Sequence, residues 1–475
     1  MGRARKTASR HPFRENLEIG VFAVVAAMAL KVFAVEAYQI PTGSMQPTLM
    51  GTPLLDPVTR QTSGAIHDRV LVDKVSYWFR DPERWEVVVF RYPLLTHVNY
   101  VKRLVGLGGE QLLIDDGDLW ARPLGSDEDF AILRKPWKVQ AHVWKRVWPP
   151  PHTAAATWLG WSEAGDVSRG EDGSLRFSGT GRTLYGHRIK DQPNHGYPDA
   201  IADRVPTRNA RAQYVVGDLR ARFRVTPEAA DGEFRALLAF GGLDFTLTLR
   251  PDGSLTLTQP ELGLEREGRL SGDGAFDLDF SWWDHRLRLA ANRSGDGLLW
   301  QEDFVLASRQ PTRTALDFRS RGGRWTLEPP TVWRDVYYLP PRQSGAPPVF
   351  DVPEGHYFMM GDNTQGSLDS RDWQAETLTF EPAAADGTER VRGDHMAHGA
   401  DPTFDNPRWN REGTVMTFRD EHGGIHQYSI TEMQRSTDRL EPAPFVPREY
   451  VIGRAIAVFL PIPPFSPVWR FGLVH

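Results

Sequence analysis

The stretch Tyr100-Val101-Lys102-Arg103-Leu104-Val105-Gly106-Leu107-Gly108-Gly109-Glu110 decides how the chain is read, because it has the pattern of a strand with a cation inside it. Val and Leu fill its middle, and the glycines that follow mark a turn. Lys102 has the apolar neighbours Val101 and Leu104, so an inward side chain would place an amine where burial disfavours the ammonium. The ordinary alternative is a lysine paired with a carboxylate, which would keep its charge. Working outward, Arg69 to Val72 and Val87 to Tyr92 also read as strands. Leu112 to Trp120 reads as a hairpin turned at Asp115-Asp116-Gly117-Asp118.

Upstream, Ile19 to Val35 is apolar except for Lys31 and follows a basic stretch containing Arg3, Arg5, Lys6, Arg10 and Arg14. We read residues 1–16 as a basic cytoplasmic N-terminus and 17–37 as a single transmembrane anchor in a lipid bilayer, with everything after it on the outer side. The competing reading is a cleaved signal peptide ending near Ala34-Val35-Glu36-Ala37.

Downstream, Val139, Val143, Trp144 and Val147 recur at helical spacing between Lys135 and Trp148. From Trp158 to Tyr338 the period becomes two, as in Leu219-Ala221-Phe223-Val225, Phe245-Leu247-Leu249 and Phe276-Leu278-Phe280, with turn residues between. That predicts a β-sandwich of jelly-roll or lectin-like kind whose ligand the pattern does not identify. Residues 374–444 are polar and rich in Gly and Asp, and Asp394, His395 and His398 there read as parts of an exposed loop rather than a metal site. The chain has 475 residues, a net charge of -5 and no cysteine. Two or three structural units are expected; disulfides, thiolate metal sites and cysteine nucleophiles are excluded, and no nucleic-acid partner is expected. We assign no cofactor and no metal.

Just beyond the apolar segment stands Tyr38-Gln39-Ile40-Pro41-Thr42-Gly43-Ser44-Met45-Gln46-Pro47-Thr48-Leu49. This resembles the nucleophile box of bacterial type I signal peptidases, and further boxes follow in that family's order. Asp68 to Lys74 and Val87 to Pro93 resemble its next strands, and Tyr100 to Glu110 resembles its lysine box. Gly361-Asp362-Asn363-Thr364-Gln365-Gly366-Ser367-Leu368-Asp369-Ser370-Arg371 resembles its GDN-x3-S-x-D-S-R box, and Tyr450 to Ala455 its closing strand.

The resemblance implies a mostly β fold: an antiparallel catalytic core at 38–133, 341–373 and 445–475, interrupted by a helix and sandwich at 134–340 and by the polar insertion 374–444. It implies Ser44 as nucleophile, Lys102 as general base, and Thr42 with the Ser44 N–H as oxyanion donors. Ser367 would orient the lysine, while Asp369 and Arg371 would support the loop that carries Ser367. Ile40, Met45, Leu49, Tyr100 and Val101 would line shallow pockets for the signal peptides of exported preproteins. The implied location is the bacterial plasma membrane. Lys74, beside Asp73 near a polar turn, is a rival base whose ammonium can stay hydrated. The reading from a different class is a membrane-anchored lectin-like binding protein with a relic peptidase core.

Overall fold

A computed structural model describes residues 16–23, 34–185, 188–192, 195–206, 214–271, 274–291, 297–307, 315–341, 349–395, 406–462, 466 and 468–475. It is mostly β, with short helices at 16–23, Ser76–Phe79, Trp137–Val143 and Ile430–Met433. The stretches that alternate or run apolar in sequence form an eight-stranded antiparallel sheet. Its order is Val35–Gln39, Arg69–Asp73, Val451–Leu460, Val87–Tyr92, Leu95–Gly106, His356–Met360 and Phe445–Pro447, with Gly472–Leu473 beside Val451–Leu460. Residues more than 300 apart are thus strand neighbours, as in the pairing of Arg454 with Val88. The hairpin read from Leu112 to Trp120 is present: Glu110–Asp115 pairs with Asp118–Pro123.

The apolar segment near the N-terminus lies only partly within the described residues. Residues 16–23 are helical, with Leu17, Ile19, Val21 and Phe22 exposed, and Val35 already opens a strand paired with Arg69–Asp73. Among the described residues no helix is long and apolar enough to cross a membrane.

The helix expected across Lys135 to Trp148 stops at Val143. Lys145–Trp148 is instead a strand, because it pairs with the distant Thr331–Arg334. It belongs to a 14-stranded network that holds most of the alternating stretches. Hydrogen bonding through this network is continuous. Leu175–Tyr185 joins two arms, its first residues pairing with Trp325–Leu327 and its last with Ala315–Arg321. The arms fold over one another: Phe245 and Trp282, on opposite arms, stack with ring centroids 4.6 Å apart. Inward positions such as Leu247, Leu257, Leu278, Phe280, Leu289 and Phe318 form one apolar cluster between them.

Residues 374–444 are more structured than an exposed loop. Gln374–Phe380 pairs with Arg390–Asp394 and Ser436–Pro442, and Val415–Arg419 lies between Arg408–Trp409 and Ile425–Ser429. Leu378, Phe380, Val391, Met416, Phe418 and Tyr428 give these strands their own small core. His395 Nδ1 lies 2.6 Å from Glu376 Oε2, and His398 is outside the described residues.

The inserted strands meet the core across a buried ionic seam. Lys135 Nζ sits 2.6 Å from Asp284 and 2.9 Å from Asp335, while Asp118, Asp218 and Asp284 bring oxygens within 4.8 Å of one another. Burial and the neighbouring carboxylates push Asp118 and Asp218 well above the usual carboxylate range. Phe318 contacts Trp161, Phe223 and Phe234 within the inserted core. Phe318→Ala should therefore lower stability by about 3–5 kcal/mol, read from the denaturation midpoint of the full chain.

Candidate active site

Ser44 sits in the turn between Val35–Gln39 and Gly51–Leu55. That turn is pinned from both sides: Ile40 N–H donates to Asp68 O at 2.9 Å, and Met50 N–H donates to the Asp68 carboxylate at 2.8 Å. Arg470 donates to the same carboxylate at 2.7 Å. Lys102 comes from Leu95–Gly106, where its strand partner is Val88. The pleat turns its side chain towards the turn, and Lys102 Nζ lies 2.6 Å from Ser44 Oγ, hydrogen-bonded to it. Both residues are buried. Burial lowers the Lys102 pKa to about 8; Asp369 and Asp362 act to raise it, and Arg371 to lower it.

The loop after His356–Met360 completes the site. Gly361 separates the Ser44 carbonyl from the Ser367 hydroxyl so closely that a Cβ at that position would overlap both. Asn363 N–H donates to Ser44 O at 3.0 Å, and Asn363 Nδ2 donates to Gly43 O at 3.0 Å. Asp369 receives Arg371 Nε at 2.7 Å, Arg371 Nη2 at 2.8 Å and the Gly361 N–H at 3.0 Å. Burial works to raise the Asp369 pKa, but the Arg371 guanidinium and these hydrogen bonds hold it below the usual range. Asp362 is bound by Arg103 through Nε and Nη2, each at 2.8 Å, and by the Thr48 hydroxyl at 2.5 Å.

The other sequence-predicted residues are distributed unevenly. Ser367 is buried within this loop, but its hydroxyl is not hydrogen-bonded to Lys102. Thr42 is exposed, two residues before Ser44, and the Ser44 N–H makes no hydrogen bond among the described residues. Ile40, Met45 and Leu49 are closed off in a core with Val70, Val87 and Val89, against which Val101 packs. Tyr100 lies on the other face of its strand, stacked on Tyr92 at 4.5 Å, with Lys102 Nζ 5.1 Å from its ring centre. Lys74 pairs with Glu36 at 3.3 Å.

Sequence reading missed two groups. Arg103 follows Lys102 directly, yet its pairing with Asp362 depends on a loop 259 positions away. Lys145, read as part of a helix face, donates to the Asp362 carbonyl at 2.8 Å.

This geometry coincides with two segments, residues 13–129 and 326–387, that match the family described as signal peptidase, peptidase S26. The part of the chain between them holds most of the inserted sheet, whose strand Thr331–Arg334 lies within the second segment. The matched core is similar to bacterial type I signal peptidases: it is 34% identical over 122 residues to a probable signal peptidase I-2 of Synechocystis sp., covering 24% of this chain and 49% of that relative. It is 36% identical over 120 residues to signal peptidase I of Pseudomonas aeruginosa, covering 21% of this chain and 37% of that one. The chain thus spans about half or less of the length of these relatives. Among solved structures, a carbohydrate-binding module from Bacillus subtilis aligns with 37% of this chain and 95% of its own length at 10% identity and a TM-score of 0.23, too faint a likeness to assign a ligand.

Arg103 and Asp362 are fully buried, so replacing Arg103 by Met would strand a charged carboxylate. The variant should lose about 3–5 kcal/mol of stability in chemical denaturation.

Proposed function

We propose that this protein is a membrane-bound serine endopeptidase that removes signal peptides from exported proteins, with Ser44 and Lys102 as its catalytic dyad. The observation that carries the reading is the buried 2.6 Å contact between Ser44 Oγ and an amine whose pKa is lowered to about 8. A serine hydroxyl needs a neighbouring base, and a lysine serves only when neutral. Lys102 meets that condition at mildly alkaline pH, since burial opposes its ammonium form.

In the proposed reaction the neutral Lys102 amine takes the Ser44 proton as Oγ attacks the scissile carbonyl. The Ser44 N–H, with no hydrogen bond among the described residues, is free to receive the developing oxyanion, and the exposed Thr42 hydroxyl is the candidate second donor. Lys102, now protonated, gives its proton to the leaving amine, and water then releases the acyl group by the reverse sequence. Ser367, Asp369 and Arg371 shape the loop behind the dyad. An extended signal peptide would run beside the strand carrying Tyr100 and Val101, while Ile40, Met45 and Leu49, closed off in the core, would support that strand rather than touch the peptide. The apolar segment near the N-terminus would tether the enzyme to the bacterial plasma membrane, with the site on the outer side.

The test is cleavage of a signal-bearing preprotein by purified enzyme. Ser44→Ala and Lys102→Ala should each remove nearly all activity while keeping the fold, and Lys102→Arg should fail equally because a guanidinium keeps its proton. Lys74→Ala should have a much smaller effect. An active, folded Lys102→Ala enzyme would disprove the base assignment.

The pH profile supplies an independent check. The protonated amine cannot accept a proton, so the rate should fall as pH drops below about 8, approaching about tenfold per pH unit. A rate that stays flat between pH 8 and pH 6 would contradict this.

A further inference from the structure

A second buried lysine reaches the site from outside the matched core. Lys145 opens the strand Lys145–Trp148 in the inserted sheet, opposite Arg334, and its amine donates to the Asp362 carbonyl at 2.8 Å. The N–H of that same peptide unit, on Asn363, donates to the Ser44 carbonyl at 3.0 Å. One peptide plane therefore carries the amine on one side and the Ser44 backbone on the other.

We propose that Lys145 is a positioning residue: by holding the Asp362–Asn363 peptide, the inserted module fixes the backbone of Ser44. The proposal rests on the reading of Ser44 as nucleophile.

Its neighbourhood leaves Lys145 this role. The nearby carboxylates are already engaged, Asp191 by Arg334 at 2.5 Å, Asp362 by Arg103 and Asp335 by Lys135 at 2.9 Å. The amine's hydrogen bond is accordingly to a carbonyl, which an amine can donate to whether or not it is charged. Burial, assisted by Arg334, lowers the Lys145 pKa to about 8, which marks how much hydration is given up for this contact.

The same module holds the catalytic loops at other points. Tyr197 OH donates to Gln46 Oε1 at 2.6 Å, two residues after the nucleophile, and Gln365 Nε2 donates to the Asp191 carboxylate at 2.9 Å. Gly196, with φ +84°, packs against both Lys145 and Pro47, where a side chain would be strained and crowded. A sheet needing only attachment to the core would not have to meet the nucleophile turn and the Gly361–Arg371 loop together.

The experiment uses the full chain in detergent with a signal-bearing preprotein, alongside hydrogen exchange read by mass spectrometry. Lys145→Met should lower kcat at least tenfold with KM within twofold, and should speed exchange in peptides covering residues 40–50 and 361–367 while the sandwich strands keep their protection. Unchanged kcat in folded Lys145→Met, or unchanged exchange in those two segments, overturns the proposal. Should Lys145→Met fail to fold, Tyr197→Phe takes its place: a kcat loss of threefold or more with faster exchange at 40–50 supports the clamp, and wild-type behaviour overturns it. If the unmodified enzyme cleaves no preprotein, the peptidase reading fails by itself, and the exchange measurement alone judges the clamp.

Discussion

A lysine amine buried beside a serine is useful as a base only if no carboxylate claims it, and at the centre of this structure the carboxylates near Lys102 are claimed by other groups. Two carboxylates lie close enough to Lys102 to pull its pKa upward, Asp369 and Asp362. Each is occupied by an arginine: Arg371 holds Asp369, and Arg103 holds Asp362. The charges cancel in pairs, and the remaining hydrogen-bonding contact of the amine is with Ser44. The two arginines stabilise the fold and also keep the amine from being held permanently as an ammonium.

The same pairs explain why the loop from Gly361 to Arg371 can be both polar and buried. Its carboxylates, main-chain groups and Arg371 find partners in one another, in the Ser44 turn, in Arg103 and in Leu339. An interior loop with unmet hydrogen bonds would be costly, and most of its polar groups are paired, Gln365 Oε1 and the Ser367 hydroxyl being buried without a partner among the described residues. The absence of a side chain at Gly361 lets the loop approach Ser44 closely enough for the Asn363 N–H to reach its carbonyl.

How much of this could be read from the sequence follows the range of the interactions. The alternating strands, the Asp115 to Asp118 hairpin and the apolar setting of Lys102 are local patterns, and they survive into the structure. The boxes around Ser44, Lys102 and Gly361 were legible through their resemblance to a family, which placed them in one site without showing how. Lys145 was not legible, because Val139, Val143 and Trp144 carry a helical period into it and only the distant Thr331–Arg334 imposes a strand. The strands of residues 374–444 were missed for a related reason: Leu378, Phe380, Met416 and Phe418 alternate too briefly within polar surroundings to stand out. The pairing of Arg103 with Asp362 needs two loops brought together, which no local pattern encodes.

The inserted sheet leaves the core after Leu95–Gly106 and its hairpin, and returns before His356–Met360, which is paired with Leu95–Gly106. Its points of departure and return are therefore neighbours, and closing so long an excursion between fixed ends costs free energy that grows only with the logarithm of its length. Such a junction works as a port: ancestral chains could have gained, enlarged or exchanged a whole module there without reordering the strands around the site.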